Sequence, residues 1–238
     1  YFSQNIESWQ QTYEMLFNTQ KFAREANDGV GIFTAVDEEG GSVARIADKL
    51  GLYNSHDMEY YGEKEAYDEI YNLGSTIGTC MKDLGFNLNF APVADVDNNP
   101  LNPVINTRSF GGDPKNVAEK VVAYSRGLED GGVLSVSKHF PGHGDTNVDS
   151  HKALPVLNFS RERLDSVELY PFRKMIEAGL GGIMVGHLEV PALSKKTASL
   201  SPEIIGLLKE EYGFKGLVFT DALEMKGVSN NLNVCARA

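Results

Sequence analysis

The feature that most constrains this chain is a repeated alternation of short apolar runs with longer amphipathic stretches. Runs rich in Val, Ile and Phe at 31–36, 87–90, 134–138, 182–185 and 217–220 read as strands. Between them, 6–27, 64–84, 114–130, 160–178 and 201–212 carry helical spacing. Tyr1-Phe2 reads as the tail of a further strand. The punctuation agrees. Asp113-Pro114 and Ser201-Pro202 each offer a capping side chain followed by a proline for the first turn. Gly131, Gly179 and Gly213 are placed to stop three helices. Repeated strand–helix units imply parallel strands joined by right-handed crossovers. An open doubly wound sheet and a closed barrel both satisfy that.

The positions of the polar residues choose between them. Asp37 follows the first clear strand, Lys138 and His139 end another, His187 follows a fourth, and Asp221 follows the last. Reactive groups thus gather at the ends of several strands, where a barrel builds its site. An open sheet binds near one switch point instead. The reading is an α/β fold, a (β/α)8 TIM-type barrel, as one domain over residues 1–238. Such a barrel typically takes ~250 residues.

Composition narrows the partners. A formal net charge of −11 repels nucleic acid and anionic lipid. No run of about 18 apolar residues offers a membrane span. Cys80 and Cys235 match no metal or redox spacing, and Cys80 reads as a buried thiol in an apolar helical stretch. Compartment and oligomeric state have no signature in the chain.

The most informative segment is KHFPGHGDTNVDSH at 138–151. It packs Lys138, three histidines (His139, His143, His151) and two aspartates (Asp145, Asp149) into fourteen positions. Three readings compete. The side chains could ligate a metal as nitrogen and oxygen donors. Asp149 could instead orient and charge His151 as a proton-transfer pair. Or the loop could be a turn whose polar groups satisfy one another.

That string resembles the signature of glycoside hydrolase family 3 β-N-acetylglucosaminidases of the bacterial NagZ type. VDEEGGSVARI at 36–46, NFAPVADV at 89–96, TRSFGGDP at 107–114 and VFTDALEMKGV at 218–228 resemble further segments of that family, in the family's order. The resemblance implies a metal-free, cofactor-free retaining glycosidase acting on a carbohydrate. It implies exo-hydrolysis of terminal β-linked N-acetylglucosamine from muropeptide or chitin-type chains. It assigns Asp221 as nucleophile, where the bland alternative is a helix-capping aspartate. It assigns His151 as acid/base with Asp149 as its partner. Asp37, Arg45, Arg108, Lys138 and His139 match the family's sugar-binding positions, with His187 and Met225 as further pocket residues. His187 could equally be a satisfied strand-end histidine.

Two departures stand out. Ser42 and Ala44 replace larger polar residues at the rim. The family barrel also needs a first strand and at least two strands after Asp221, so the chain reads as an incomplete barrel. Two other functions fit the residues: a phosphorylase using phosphate as acceptor, and a carbohydrate-binding remnant without turnover.

Overall fold

The computed structural model describes residues 1–229, so Cys235 lies outside the described residues. In chain order the strands are β1 (Ala35–Val36), β2 (Glu38–Gly40), β3 (Val43–Ala44), β4 (Leu88–Asn89), β5 (Leu134–Phe140), β6 (Gly182–Val185) and β7 (Leu217–Thr220). The helices are α1 (Trp9–Ala26), α2 (Arg45–Leu50), α3 (Met58–Gly62), α4 (Tyr67–Leu84), α5 (Pro114–Gly131), α6 (Arg161–Ser166), α7 (Tyr170–Glu177), α8 (Pro202–Gly206) and α9 (Lys226–Ser229). No helix among the described residues is long and apolar enough to cross a membrane.

Five strands form one parallel sheet in the order β1-β4-β5-β6-β7. Spatial order follows chain order without reversal. A doubly wound sheet reverses at its switch point; a barrel wall does not. The sheet is therefore an arc of a TIM-type barrel, incomplete among the described residues. All the strand C-termini share one edge, so Asp37, Lys138, His139 and Asp221 are delivered to the same end.

Side chains alternate between the two faces, as the pleat requires. Ile183 and Val185 join the large core under the helices, and so does Phe140, which lies beyond the register shift that β5 makes between Ser137 and Phe140. Leu88, Val136 and Met184 form a second, smaller cluster on the other face, with Phe90 and Phe219 packed against it. Phe219 meets Phe90 edge-on with ring centroids 5.7 Å apart. Two apolar faces on one sheet are what a barrel wall needs, one toward helices and one toward the barrel interior.

Several elements differ from their sequence outlines for local reasons. Strand 31–36 pairs only over Ala35–Val36. At Ile32 the amide of Gln20 takes both backbone partners, at 2.7 and 3.1 Å, in place of a neighbouring strand. Helix 160–178 breaks into α6 and α7, because Pro171 has no N–H to continue the ladder and instead opens α7. Stretch 201–212 continues past α8 as a π-turn over Leu207–Glu211. Tyr1 is not in a strand, but its nitrogen donates to the Ala35 carbonyl at 2.7 Å. The caps at Asp113 and Ser201 accept from backbone N–H groups of α5 and α8. Gly131 ends α5 but does not make the left-handed stop, which falls to Gly132 at φ 100°.

Gly131 has a packing role. α4 and α5 approach through Gly74 and Gly78 on one side and Gly127 and Gly131 on the other. A Cβ at Gly127 would collide with the Tyr71 carbonyl and lie 2.8 Å from Ser75 N, both backbone. Backbone cannot swing aside as a side chain can. Gly127→Ala should thus lose roughly 1–3 kcal/mol, despite alanine's better helix propensity. Gly206 is the control: it is helical with φ −60°, and a Cβ there meets nothing within 4 Å. Gly206→Ala should gain about 0.5–1 kcal/mol. Denaturant unfolding of both variants checks the pair of signs.

Candidate active site

The site begins where β1 ends. In an extended segment, residues two apart share a face. Asp37 and Glu39 therefore point one way and Glu38 the other. Glu38 is buried and caps α2, accepting from Ile46 N at 2.6 Å and Ala47 N at 3.1 Å. Burial outweighs those two bonds and pushes its carboxyl up to about 7. The Gly40-Gly41 turn, at φ 92° and 58°, folds β2 back on β3 and brings Arg45 over Asp37. The Arg45 Nε donates to Asp37 Oδ2 at 3.3 Å.

Lys138, at the C-terminal end of β5, is 2% exposed and reaches across to this segment. Its Nζ lies 2.6 Å from Asp37 Oδ1 and 2.6 Å from Glu39 Oε1. Arg108 closes the cluster with a forked pair to Glu39, Nε to Oε2 at 2.9 Å and Nη2 to Oε1 at 2.7 Å. Its Nη1 holds the Val104 carbonyl at 3.1 Å. Burial alone would raise both carboxyls, but the Lys138 charge on Asp37, and the Lys138 and Arg108 charges on Glu39, win. Asp37 sits below its ordinary range and Glu39 falls to about 2. The same carboxylates outweigh burial and hold Lys138 protonated.

The histidine loop separates its three histidines by burial. His139 Nδ1 pairs with Asp95 Oδ2 at 2.7 Å. Asp95 is fully buried and also accepts from the backbone N–H of His139 and, at 2.7 Å, of His143. His143 uses both ring nitrogens on protein hydroxyls, Thr146 Oγ1 at 2.7 Å and Ser150 Oγ at 3.1 Å. Burial, with His139 adding to it, pushes its imidazole down to about 4. His151 is the exposed one. Its Nδ1 lies 2.9 Å from Asp149 Oδ1, and its backbone N–H donates to the same oxygen at 2.9 Å. Burial works to raise Asp149, but those two His151 bonds and the ring's charge keep it low and ionised. An ionised Asp149 makes Nδ1 the donor of that pair. The three histidines thus serve three different partners. Among the described residues no group of three or more His, Cys, Asp or Glu side chains could hold a metal ion.

Asp221 follows β7. Its N–H donates to the Val185 carbonyl at 2.9 Å, and its Oδ1 accepts from Ala222 N at 2.8 Å. His187, at the end of β6, is buried. Its Nε2 donates to the Ala222 carbonyl at 2.8 Å and its Nδ1 meets Ser199 Oγ at 2.7 Å. The structure therefore places His187 against the backbone beside Asp221. Met225 is buried in the turn that follows, its N–H on the same Ala222 carbonyl.

Glu39 and Asp95 carry much of this geometry, and neither was singled out in the sequence. Glu39 was legible from period two, since it shares a face with Asp37. Asp95 lies in the NFAPVADV segment, but nothing local signals a partner 44 residues away.

Glu39 yields a direct test. Its folded carboxyl is depressed, so its contribution is complete above the unfolded value near 4.5 and is lost as pH falls toward about 2. Glu39→Gln leaves buried Lys138 and Arg108 short of a counter-charge and should lose about 3–5 kcal/mol at pH 7. The variant should also lose much of the stability change between pH 4.5 and 2. Unfolding free energies measured across that range check both.

The family model described as "Glycosyl hydrolase family 3 N terminal domain" matches residues 1–238. The chain is 37% identical to Beta-hexosaminidase A of Pseudoalteromonas piscicida over 98% of its own length and 42% of that protein. It superposes on a family 3 beta-N-acetylglucosaminidase from Paenibacillus sp. str. FPU-7 with TM-score 0.94 and 40% identity, covering 100% of this chain and 45% of that one. It is also similar to NagZ from Neisseria gonorrhoeae in complex with N-trifluoroacetyl-D-glucosamine, with TM-score 0.85 and 31% identity, covering 94% of this chain and 66% of that one. The chain spans about half the length of the curated relatives it matches. Over its whole sequence, the chain belongs to glycosyl hydrolase family 3, as that family's N-terminal domain.

Proposed function

We propose that residues 1–238 carry the catalytic groups of a retaining exo-β-N-acetylglucosaminidase. Asp221 is the nucleophile, His151 the acid/base, and Asp149 the partner that sets the imidazole's tautomer. The observation that carries this reading is the Asp149–His151 pair, Oδ1 to Nδ1 at 2.9 Å, on an exposed loop tied to the Asp221 segment. NagZ from Neisseria gonorrhoeae, a similar protein in complex with N-trifluoroacetyl-D-glucosamine, supports an N-acetylated sugar. The relatives' names as hexosaminidases support hydrolysis.

The mechanism follows from the groups present. Asp37, Arg45, Arg108, Lys138 and His139 gather at or beside the site end of β1 and β5. Lys138 spends two of its N–H bonds on carboxylates, and an ammonium has three. The third can meet a sugar hydroxyl, while Asp37 accepts from another. The buried network holds these groups rigid, so sugar binding does not have to order them. With the sugar seated, the Asp221 carboxylate attacks the anomeric carbon as the glycosidic bond breaks. His151 Nε2 gives its proton to the departing oxygen. The enzyme then carries a glycosyl ester. Water attacks the same carbon, His151 takes its proton, and the ester bond to Asp221 breaks. Two inversions give net retention. The substrates are terminal β-linked N-acetylglucosamine residues of muropeptide or chitin-type chains.

Asp221→Asn should lower turnover roughly a thousandfold or more, and a mechanism-based fluorosugar should label Asp221 in the unmodified protein. Proton NMR of the first product should show the β-anomer. An α-anomer, or a label elsewhere, contradicts the assignment. Sugar 1-phosphate released in phosphate buffer identifies a phosphorylase instead.

His151→Ala should cost most with poor leaving groups, roughly 10²–10⁴-fold. Activated aryl leaving groups, which depart without help, should lose far less in the first step. Kinetics across a leaving-group series checks this. Equal losses throughout would leave His151 without an acid role.

A further inference from the structure

The loop that carries the acid/base pair is exposed almost throughout. From Asn147 to Leu154 only Ser150 is buried, at 2% exposure, with Asp149 before it and His151 after it. A serine between two catalytic side chains is held by two separate contacts. Its hydroxyl lies 3.1 Å from His143 Nε2. Its carbonyl accepts from Gly227 N at 3.0 Å.

Each contact leads to a different part of the site. His143 is fixed from behind: its backbone N–H is on Asp95 at 2.7 Å and its Nδ1 is on Thr146 at 2.7 Å. Asn102 holds the His143 carbonyl at 2.8 Å and the Gly144 carbonyl at 3.0 Å. Asp95 also carries His139, so the serine's hydroxyl is tied to the sugar-binding end of β5. Gly227 lies six residues after Asp221 on the same segment. A Cβ at Gly227 would lie 2.9 Å from the Ser150 carbonyl and 3.2 Å from His187 Cβ, so this approach needs a glycine. His187 in turn holds the Ala222 carbonyl.

We propose that Ser150 is a positioning residue: its hydroxyl on His143 and its carbonyl on Gly227 hold the Asp149–His151 pair in register with the Asp221 segment. This rests on the reading of His151 as acid/base. His143 suits the task because both its nitrogens are engaged and its ring is buried. Asn99 holds the start of the loop through the Thr146 carbonyl and the Asn147 side chain, so release of Ser150 would free the stretch that carries Asp149 and His151 to sample many positions. Each displacement moves Nε2 of His151 away from the leaving oxygen, and an error of ~1 Å can cost a hundredfold in rate. The contacts touch neither sugar nor reacting atoms, so the loss should fall on kcat and spare KM.

The test compares Ser150→Ala with His151→Ala in the intact polypeptide as its host makes it. Substrates with poor and with activated leaving groups are run side by side. Ser150→Ala should lower kcat roughly tenfold for the poor leaving group, leave KM within about twofold, and barely change the activated substrate. In a His143→Gln/Ser150→Ala cycle the two losses should not multiply, because both variants break one contact. Should Ser150→Ala fail to fold, Ser150→Cys keeps the shape, weakens the bond and carries the same comparison. If His151→Ala is leaving-group dependent while the Ser150 variants lose equally on both substrates or not at all, the positioning role is overturned and the hydrolase reading stands. If His151→Ala shows no such dependence, the acid/base reading falls and takes this inference with it.

Discussion

The site depends on one buried ammonium. Lys138 sits on β5, the middle strand of the sheet, and its Nζ bridges Asp37 and Glu39 from the segment after β1. Taking a lysine out of water costs several kcal/mol unless good partners replace the solvent. Two carboxylates at 2.6 Å supply them. The pairing also fixes tertiary geometry, because it spans β4 and ties the ends of two non-adjacent strands. The hairpin of β2 and β3, the cap that Glu38 makes on α2 and the forked Arg108–Glu39 pair all lean on that anchor. A site built on it is preorganised, since its charges are already paired with one another in the folded chain.

The histidine loop shows how burial gives one residue type three roles. His139 is buried against a carboxylate and is fixed in place. His143 is buried against two hydroxyls, and desolvation holds it neutral down to about pH 4. His151 is exposed beside an ionised aspartate, which leaves its outer nitrogen available to solvent and substrate. Proton transfer suits the third environment. Among the described residues the hydrogen bonds of the three rings go to different partners. The segments around them act as braces. Asn102, on the loop after β4, holds two carbonyls of the turn that starts at His143.

The scaffold meets different demands away from the site. The α4–α5 seam uses four glycines so that two backbones can nearly touch. α5 also reaches the site segment, where Tyr124 donates to the Glu39 carbonyl at 2.9 Å. One helix thus packs on its neighbour through the glycines and holds the backbone of a charged residue in the site through Tyr124.

Much of this was legible in the chain. Strand–helix alternation gave the parallel sheet, and polar residues at several strand ends gave the barrel over the open sheet. Both are local patterns, set by side-chain period and by where the chain must turn. The motif segments gave the family, and with it candidates at Asp37, Arg45, Arg108, Lys138, His139, Asp149, His151, His187, Asp221 and Met225. Tertiary structure decided what those residues touch. Asp95 entered the site only because folding brought β5 beside it, and a contact 44 residues long has no local signature; period two places Glu39 on the face of Asp37, but its pairing with Lys138 exists only in the folded chain. The break at 167–169 and the short pairing of β1 were likewise set by partners, Pro171's missing N–H in one case and the Gln20 amide in the other. Within the loop at 138–151 the residues alone left three readings open and only the family resemblance singled out His151, because three histidines look alike until burial separates them. Sequence determines which groups are available and where the backbone must bend. Desolvation and long-range pairing, which exist only in the folded chain, decide which of those groups are charged, which are fixed and which stay free to react.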